Sequence, residues 1–130
     1  MQRILHTMLR ISNIQRSINF YTQILGMSVL RTLDQPDEKY TLTFLGYEEE
    51  SKTCVLELTY NYDVSTYELG NAYGHIAIEV SDIQKVINYI KSHNVQFSLE
   101  ATKLKGSNEI IAFLTDPDGY QVELIERPSS

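Results

Sequence analysis

A chain of 130 residues with 42% hydrophobic and 22% charged residues has the size and balance of one soluble domain. Its net charge of −6, without a dense Lys/Arg cluster, disfavours a nucleic-acid partner, because phosphate neutralisation dominates that affinity. No apolar stretch approaches the roughly 20 residues of a membrane helix, the first residues lack a secretory apolar segment, and a single cysteine excludes an internal disulfide framework and fits a reducing cytoplasm.

In chain order, Leu5, Leu9 and Ile11 alternate with polar neighbours and predict a half-buried strand. Asn13 is a good N-cap, and Ile14, Ile18 and Tyr21 follow at helical spacing. Gly26 fits the C-terminal cap of that helix. After Tyr40, Thr41-Leu42-Thr43-Phe44 and Cys54-Val55-Leu56-Glu57-Leu58-Thr59 read as strands, with Cys54 expected as a buried structural thiol. Residues 61–72 read as a connector. The order then repeats. Ile76, Ile78 and Val80 alternate, Asp82 is an N-cap, and Ile83, Val86, Ile87 and Ile90 have helical spacing up to a cap at Asn94. His93 belongs to this helix end as a surface cation. Ile110 to Leu114 and Gln121 to Ile125 are strands joined by an Asp116-Pro117-Asp118-Gly119 turn, and Pro128-Ser129-Ser130 reads as a loose tail.

The two halves align residue by residue. At an offset of 69, His6 meets His75, Ser12-Asn13-Ile14-Gln15 meets Ser81-Asp82-Ile83-Gln84, and Phe44 meets Phe113. Leu56-Glu57-Leu58 meets Val122-Glu123-Leu124 at an offset of 66, and the difference falls in the preceding turns, where loops absorb it. The expected fold is α+β: two βαβββ modules, at about 1–60 and 73–127, within a single domain spanning 1–130.

Each module thus carries a His on its first strand and a Glu on its last: His6, Glu57, His75 and Glu123. Strand alternation puts Met8 and Arg10 on the face of His6, and Val55, Thr59 and Asn61 on that of Glu57. A Glu centred in an apolar strand is costly unless paired or coordinated, and here it occurs twice at equivalent positions. Two imidazoles and two carboxylates suit Zn²⁺, Ni²⁺, Co²⁺ or Fe²⁺, and ligand type alone does not choose among them. The lack of cysteine ligands argues against a closed structural zinc site and for an open catalytic one.

With His6-Thr7-Met8-Leu9-Arg10, Ser17-Ile18-Asn19-Phe20-Tyr21-Thr22, Leu25-Gly26-Met27, Leu56-Glu57-Leu58-Thr59-Tyr60-Asn61, Tyr73-Gly74-His75-Ile76-Ala77 and Asp116-Pro117-Asp118-Gly119-Tyr120 in place, the chain resembles the glyoxalase I family of the vicinal oxygen chelate superfamily, from Arg3 to Glu126. The helix signature and the Asp-Pro-Asp-Gly turn are general to the superfamily, whereas all four ligand candidates together are specific. Superfamily dioxygenases keep two His and one Glu, so Glu57 favours glyoxalase.

The resemblance implies a metal held by His6, Glu57, His75 and Glu123 at a homodimer interface, the first two from one chain and the last two from the other. It implies glutathione contacts at Arg10, Asn61 and Lys105. It also implies a carbon–sulfur lyase reaction, from the methylglyoxal–glutathione hemithioacetal to S-D-lactoylglutathione through an enediolate, with Glu123 as base and Glu57 as partner carboxylate. The compact length matches the bacterial type, for which Ni²⁺ or Co²⁺ is expected above Zn²⁺. One departure from the family pattern stands at Asn71, where some members carry a second glutathione-binding Arg four residues before the ligand His. Two other readings use the same residues: another isomerase or epimerase of the superfamily, and a non-catalytic small-molecule-binding protein of this fold. Bound metal and substrate tests separate them.

Overall fold

The computed structural model describes residues 1–128, so Ser129 and Ser130, the end of the expected tail, lie outside the described residues. The chain divides into two compact units, the first Met1–Glu68 and the second beginning at Leu69, a boundary that falls inside the expected connector. Among the described residues no helix is long and apolar enough to cross a membrane.

The first unit runs β1 (His6–Ile11), α1 (Ile14–Asn19), a π-helical turn (Phe20–Ile24), β2 (Ser28–Gln35), β3 (Tyr40–Gly46) and β4 (Val55–Asn61). Its strands form one sheet in the order β1-β4-β3-β2, with β1 parallel to β4 and the other pairs antiparallel. The Asn13 side chain caps α1 as expected, accepting the Arg16 N–H at 2.9 Å. The regular helix expected through Tyr21 is not continued. It widens at Phe20, where the Leu25 N–H reaches back five residues to the Phe20 carbonyl at 3.1 Å. The extra residue per turn brings Phe20 and Tyr21 together into the core, at 6% and 0% exposed, while Ile14 and Ile18 remain half-buried. Gly26 then closes the helix at φ 79°, the left-handed conformation expected of a C-terminal cap.

The second unit repeats the plan with β5 (His75–Glu79), α2 (Ile83–Lys91), β6 (Phe97–Lys103), β7 (Ile110–Thr115) and β8 (Gln121–Glu126). Its sheet order is β5-β8-β7-β6, with β5 parallel to β8. Asp82 caps α2 through the Lys85 N–H at 3.1 Å, and Glu126 accepts the Ile83 N–H at 2.9 Å. Ile83, Ile87 and Ile90 point into the core, α2 packs on β6, β7 and β8, and Val122 and Leu124 are fully buried. Burying each such side chain contributes about 1.5–3 kcal/mol, which holds the helix to its sheet. Asn94 adopts φ 62° past the helix end, in line with its expected capping role, and His93 is exposed there.

The paired βαβββ plan is therefore as expected, and the length difference lies where the alignment put it. Residues 47–54 join β3 to β4 and residues 116–120 join β7 to β8, eight residues against five. The shorter turn is built on Asp116, whose buried carboxylate accepts the N–H groups of Asp118 and Tyr120 at 2.9 and 2.8 Å. One expectation fails. Cys54 is exposed, because β4 begins only at Val55 and the thiol ends the preceding turn rather than entering the apolar run.

Candidate metal centre

In each unit the first strand lies beside the last, and this adjacency makes the site. β1 pairs with β4 so that His6 stands opposite Val55 and Met8 opposite Glu57. β5 pairs with β8 so that His75 stands opposite Gln121 and Ala77 opposite Glu123. In both units the glutamate is thus two residues further along the parallel pair than the histidine's own partner, on the same face. His6 Nε2 comes to 3.6 Å from Glu57 Oε1, and His75 Nε2 to 3.0 Å from Glu123 Oε1. Each glutamate side chain is 12% exposed, whereas the histidines are 37% and 40% exposed. Each pair thus sets a nearly covered carboxylate beside a half-open imidazole.

A third strand supplies the backing of each pair. Phe44 on β3 is paired with Glu57, and Phe113 on β7 with Glu123. The His6 ring meets Phe44 edge-on at 5.7 Å between centroids, and His75 meets Phe113 in the same way at 5.1 Å. The phenylalanines aligned in the sequence repeat, but nothing in the sequence alone placed them against the histidines.

The surroundings then diverge. In the first unit the Arg31 guanidinium lies 3.7 Å from the centroid of the Phe44 ring and forks onto Glu50 at 2.6 and 3.1 Å. The hydrogen bond to Glu50 is the main cause that raises the Arg31 pKa, with the charge of Glu57 contributing, and the same bond lowers the pKa of Glu50. Thr59 Oγ1 donates to Glu57 Oε2 at 3.2 Å. Arg31 gave no signal in the sequence, since it lies on an exposed strand without a core pattern.

The expected thiol-binding residues are placed as follows. Arg10 is exposed on β1, on the face of His6 and Met8. Asn61 ends β4, where its Nδ2 donates to the Tyr67 hydroxyl at 3.1 Å. Lys105 is exposed in the turn between β6 and β7, lining an open depression of about 590 Å³ with Lys103, Leu104, Gly106, Ser107 and Asn108. Asn71 is exposed.

The structure thus joins His6 to Glu57 and His75 to Glu123. Among the described residues no group of three or more His, Cys, Asp or Glu is placed to hold a metal ion. The donor chemistry of each pair nevertheless suits a divalent cation: one imidazole, one carboxylate, no thiolate, and a register that is the same in both units.

The sequence and the fold both have counterparts among known proteins. The sequence model of the Glyoxalase/Bleomycin resistance protein/Dioxygenase superfamily matches residues 3–124. A lactoylglutathione lyase of Salmonella typhimurium is 51% identical over 124 residues, covering 95% of this chain and 92% of that one. One from Haemophilus influenzae is 49% identical over 128 residues, 98% and 95% of the two chains. Among solved structures, the trypanothione-dependent glyoxalase I of Leishmania major superposes with a TM-score of 0.88 at 48% identity, over 97% of this chain and 87% of that one. Glyoxalase I from Zea mays gives a TM-score of 0.93 at 44% identity, over 98% of this chain and 46% of that longer one. The family is metal-dependent. With its paired βαβββ units and two His/Glu pairs, the chain belongs to the glyoxalase I family, the lactoylglutathione lyases of the vicinal oxygen chelate superfamily.

Proposed function

We propose that two copies of this chain form a homodimer, each active site taking His6 and Glu57 from one chain and His75 and Glu123 from its partner, around one divalent ion. The observation that supports a four-donor centre is the duplicated pair, two donors per unit set in the same register, and the sharing of that centre between two chains follows the likeness to glyoxalase I. The activity is that of a lactoylglutathione lyase, which converts the methylglyoxal–glutathione hemithioacetal to S-D-lactoylglutathione and so detoxifies methylglyoxal.

The reaction moves a proton from the carbon that bears sulfur to its neighbour. A bound divalent ion supplies positive charge that stabilises the negative charge developing on the two adjacent substrate oxygens. Glu123 takes the proton and returns it, which requires hydrogen-bond reach to both carbons. Glu57 is the partner carboxylate. His6 and His75 would hold the ion through ring nitrogens, and their rings are set edge-on against Phe44 and Phe113. Arg10 and Lys105 offer charge, and Asn61 an amide, to the carboxylates and peptide groups of the thiol.

Ni²⁺ or Co²⁺ is the preferred ion, following the likeness to compact bacterial relatives, with Zn²⁺ a weaker substitute. The compartment is the cytoplasm, where an exposed Cys54 stays reduced and a free thiol cosubstrate is available. The test is chelation followed by metal return, read in an ultraviolet assay with methylglyoxal and glutathione. Activity should vanish with the metal and return with Ni²⁺ or Co²⁺ above Zn²⁺. Full activity in protein shown by elemental analysis to hold no metal refutes the reading, while better rescue by Zn²⁺ removes only the metal preference.

A further inference from the structure

The repeat makes Glu57 and Glu123 equivalent in register, yet two corresponding positions around them carry different chemistry. Two residues past the glutamate, on the same face of the strand, β4 has Thr59 and β8 has Ile125. The Thr59 hydroxyl, on a residue only 8% exposed, donates to Glu57 Oε2 at 3.2 Å. Ile125 has no donor to offer Glu123. The second difference lies one strand further out. Phe44 is paired with Arg31, whose guanidinium lies 3.7 Å from the centroid of the Phe44 ring, whereas Phe113 is paired with the apolar Leu99.

A hydroxyl donating to an ionised carboxylate is a charge-assisted bond, and it is stronger where water is excluded. With Oε2 held by Thr59, Oε1 is the oxygen of Glu57 that carries no hydroxyl donor, and rotating the carboxylate would break the tie. Among the described residues Glu123 has no tie of this kind. Its polar side-chain contact is with His75, at 3.0 Å. A group that must alternate between holding an ion and taking a proton needs that freedom.

We infer that Thr59 is a positioning residue that fixes Glu57 as a permanent ligand, and that Ile125 at the matching place leaves Glu123 untethered and able to act as the base. This rests on the assignment of Glu123 under the proposed function, and it adds the reason why two glutamates made alike by the repeat take different roles.

Four variants test it: Thr59→Val, Thr59→Ser, Ile125→Thr and Glu123→Gln. Each is measured for Ni²⁺ affinity by chelator competition, for kcat with methylglyoxal and glutathione, and for Tm. Both branched swaps keep strand preference, so Tm reports whether folding is disturbed. Thr59→Val should weaken Ni²⁺ binding by about 10- to 100-fold, the usual effect of removing a group that orients a ligand, and Thr59→Ser should restore it. Ile125→Thr should lower kcat by about tenfold, with Ni²⁺ binding as tight as the parent's or tighter, because the new hydroxyl ties down the base. Parental Ni²⁺ affinity in Thr59→Val, or a Thr59→Ser protein as weak as Thr59→Val, overturns the inference. So does parental kcat in a folded Ile125→Thr protein. If Ile125→Thr does not fold, the Thr59 pair decides alone. Glu123→Gln separates the two levels: parental kcat there removes the base assignment itself, whereas a collapsed kcat beside unaffected Thr59 and Ile125 variants removes only the tether.

Discussion

Glu123→Gln replaces a carboxylate that is 12% exposed and 3.0 Å from His75 Nε2 with an amide of the same size. The amide keeps one oxygen that can face an ion, and the neighbouring Val122 and Leu124, both fully buried, need not move. What is lost is the ability to take a proton. A positioned general base contributes about 10²- to 10⁴-fold, so kcat should fall by that factor. At about 1.36 kcal/mol per tenfold, the barrier rises by about 2.7–5.5 kcal/mol. Metal occupancy should fall far less, since His75, His6 and Glu57 keep their donors. The control, Glu57→Gln, should show the opposite balance, because the charge-assisted bond that Thr59 Oγ1 donates to Oε2 at 3.2 Å becomes at best a bond to a neutral amide. Losing a hydrogen bond to a charged group costs about 1.5–3 kcal/mol, so about a ten- to hundredfold loss of metal affinity is expected, with the smaller effect on kcat. Steady-state kinetics on protein of known metal content separates binding from chemistry. A Glu123→Gln enzyme that is metal-loaded and nearly as active as the parent would show that Glu123 is only a ligand.

Arg10→Ala should raise KM by about ten- to a hundredfold while kcat holds, since a guanidinium that forks onto a substrate carboxylate binds ground and transition states alike; a fall in kcat at constant KM contradicts that role. Stability should depend on Asp34 in acid. Hydrogen bonds from the Tyr62 hydroxyl at 2.5 Å and the Thr41 hydroxyl at 2.8 Å hold its carboxyl below the ordinary value. A group whose pKa is lowered on folding stabilises the protein above its unfolded value of about 3.9, and that stability is lost as pH falls through the folded value. Asp34→Asn should therefore flatten the acid limb of a Tm-against-pH curve, and an unchanged limb counts against the network.

The internal repeat made most of the fold legible. Caps at Asn13 and Asp82, the helical face of Ile83, Ile87 and Ile90, and the two His/Glu pairs all follow from residue pattern, because each serves a buried face or an unsatisfied helix end. The outer strands β2 and β6 were not located. Their residues are largely exposed, so no core imposes alternation on them, and bulges between Val29 and Arg31, and between Phe97 and Thr102, break what period remains. The π-helical turn was invisible for a related reason: Phe20 and Tyr21 are adjacent apolar residues, and either fits a 3.6-residue stripe. At the site, strand alternation gave the faces of Glu57 and Arg10, but the approach of Phe44 to His6 and of Arg31 to Phe44 depends on which strands become neighbours. Spacing within one segment does not carry that information.

The proposed sharing of each site between two chains is tested most directly by co-refolding a His6→Ala chain with a His75→Ala chain, each expected to be inactive alone. In the mixed dimer one site combines His6 and Glu57 of the His75→Ala chain with His75 and Glu123 of the His6→Ala chain, so it is intact. Random pairing makes half the dimers mixed and repairs one of their two sites, giving about a quarter of the parental specific activity. If each chain built its own site, every site would lack one histidine, and inactive preparations despite confirmed mixed dimers would contradict the shared centre.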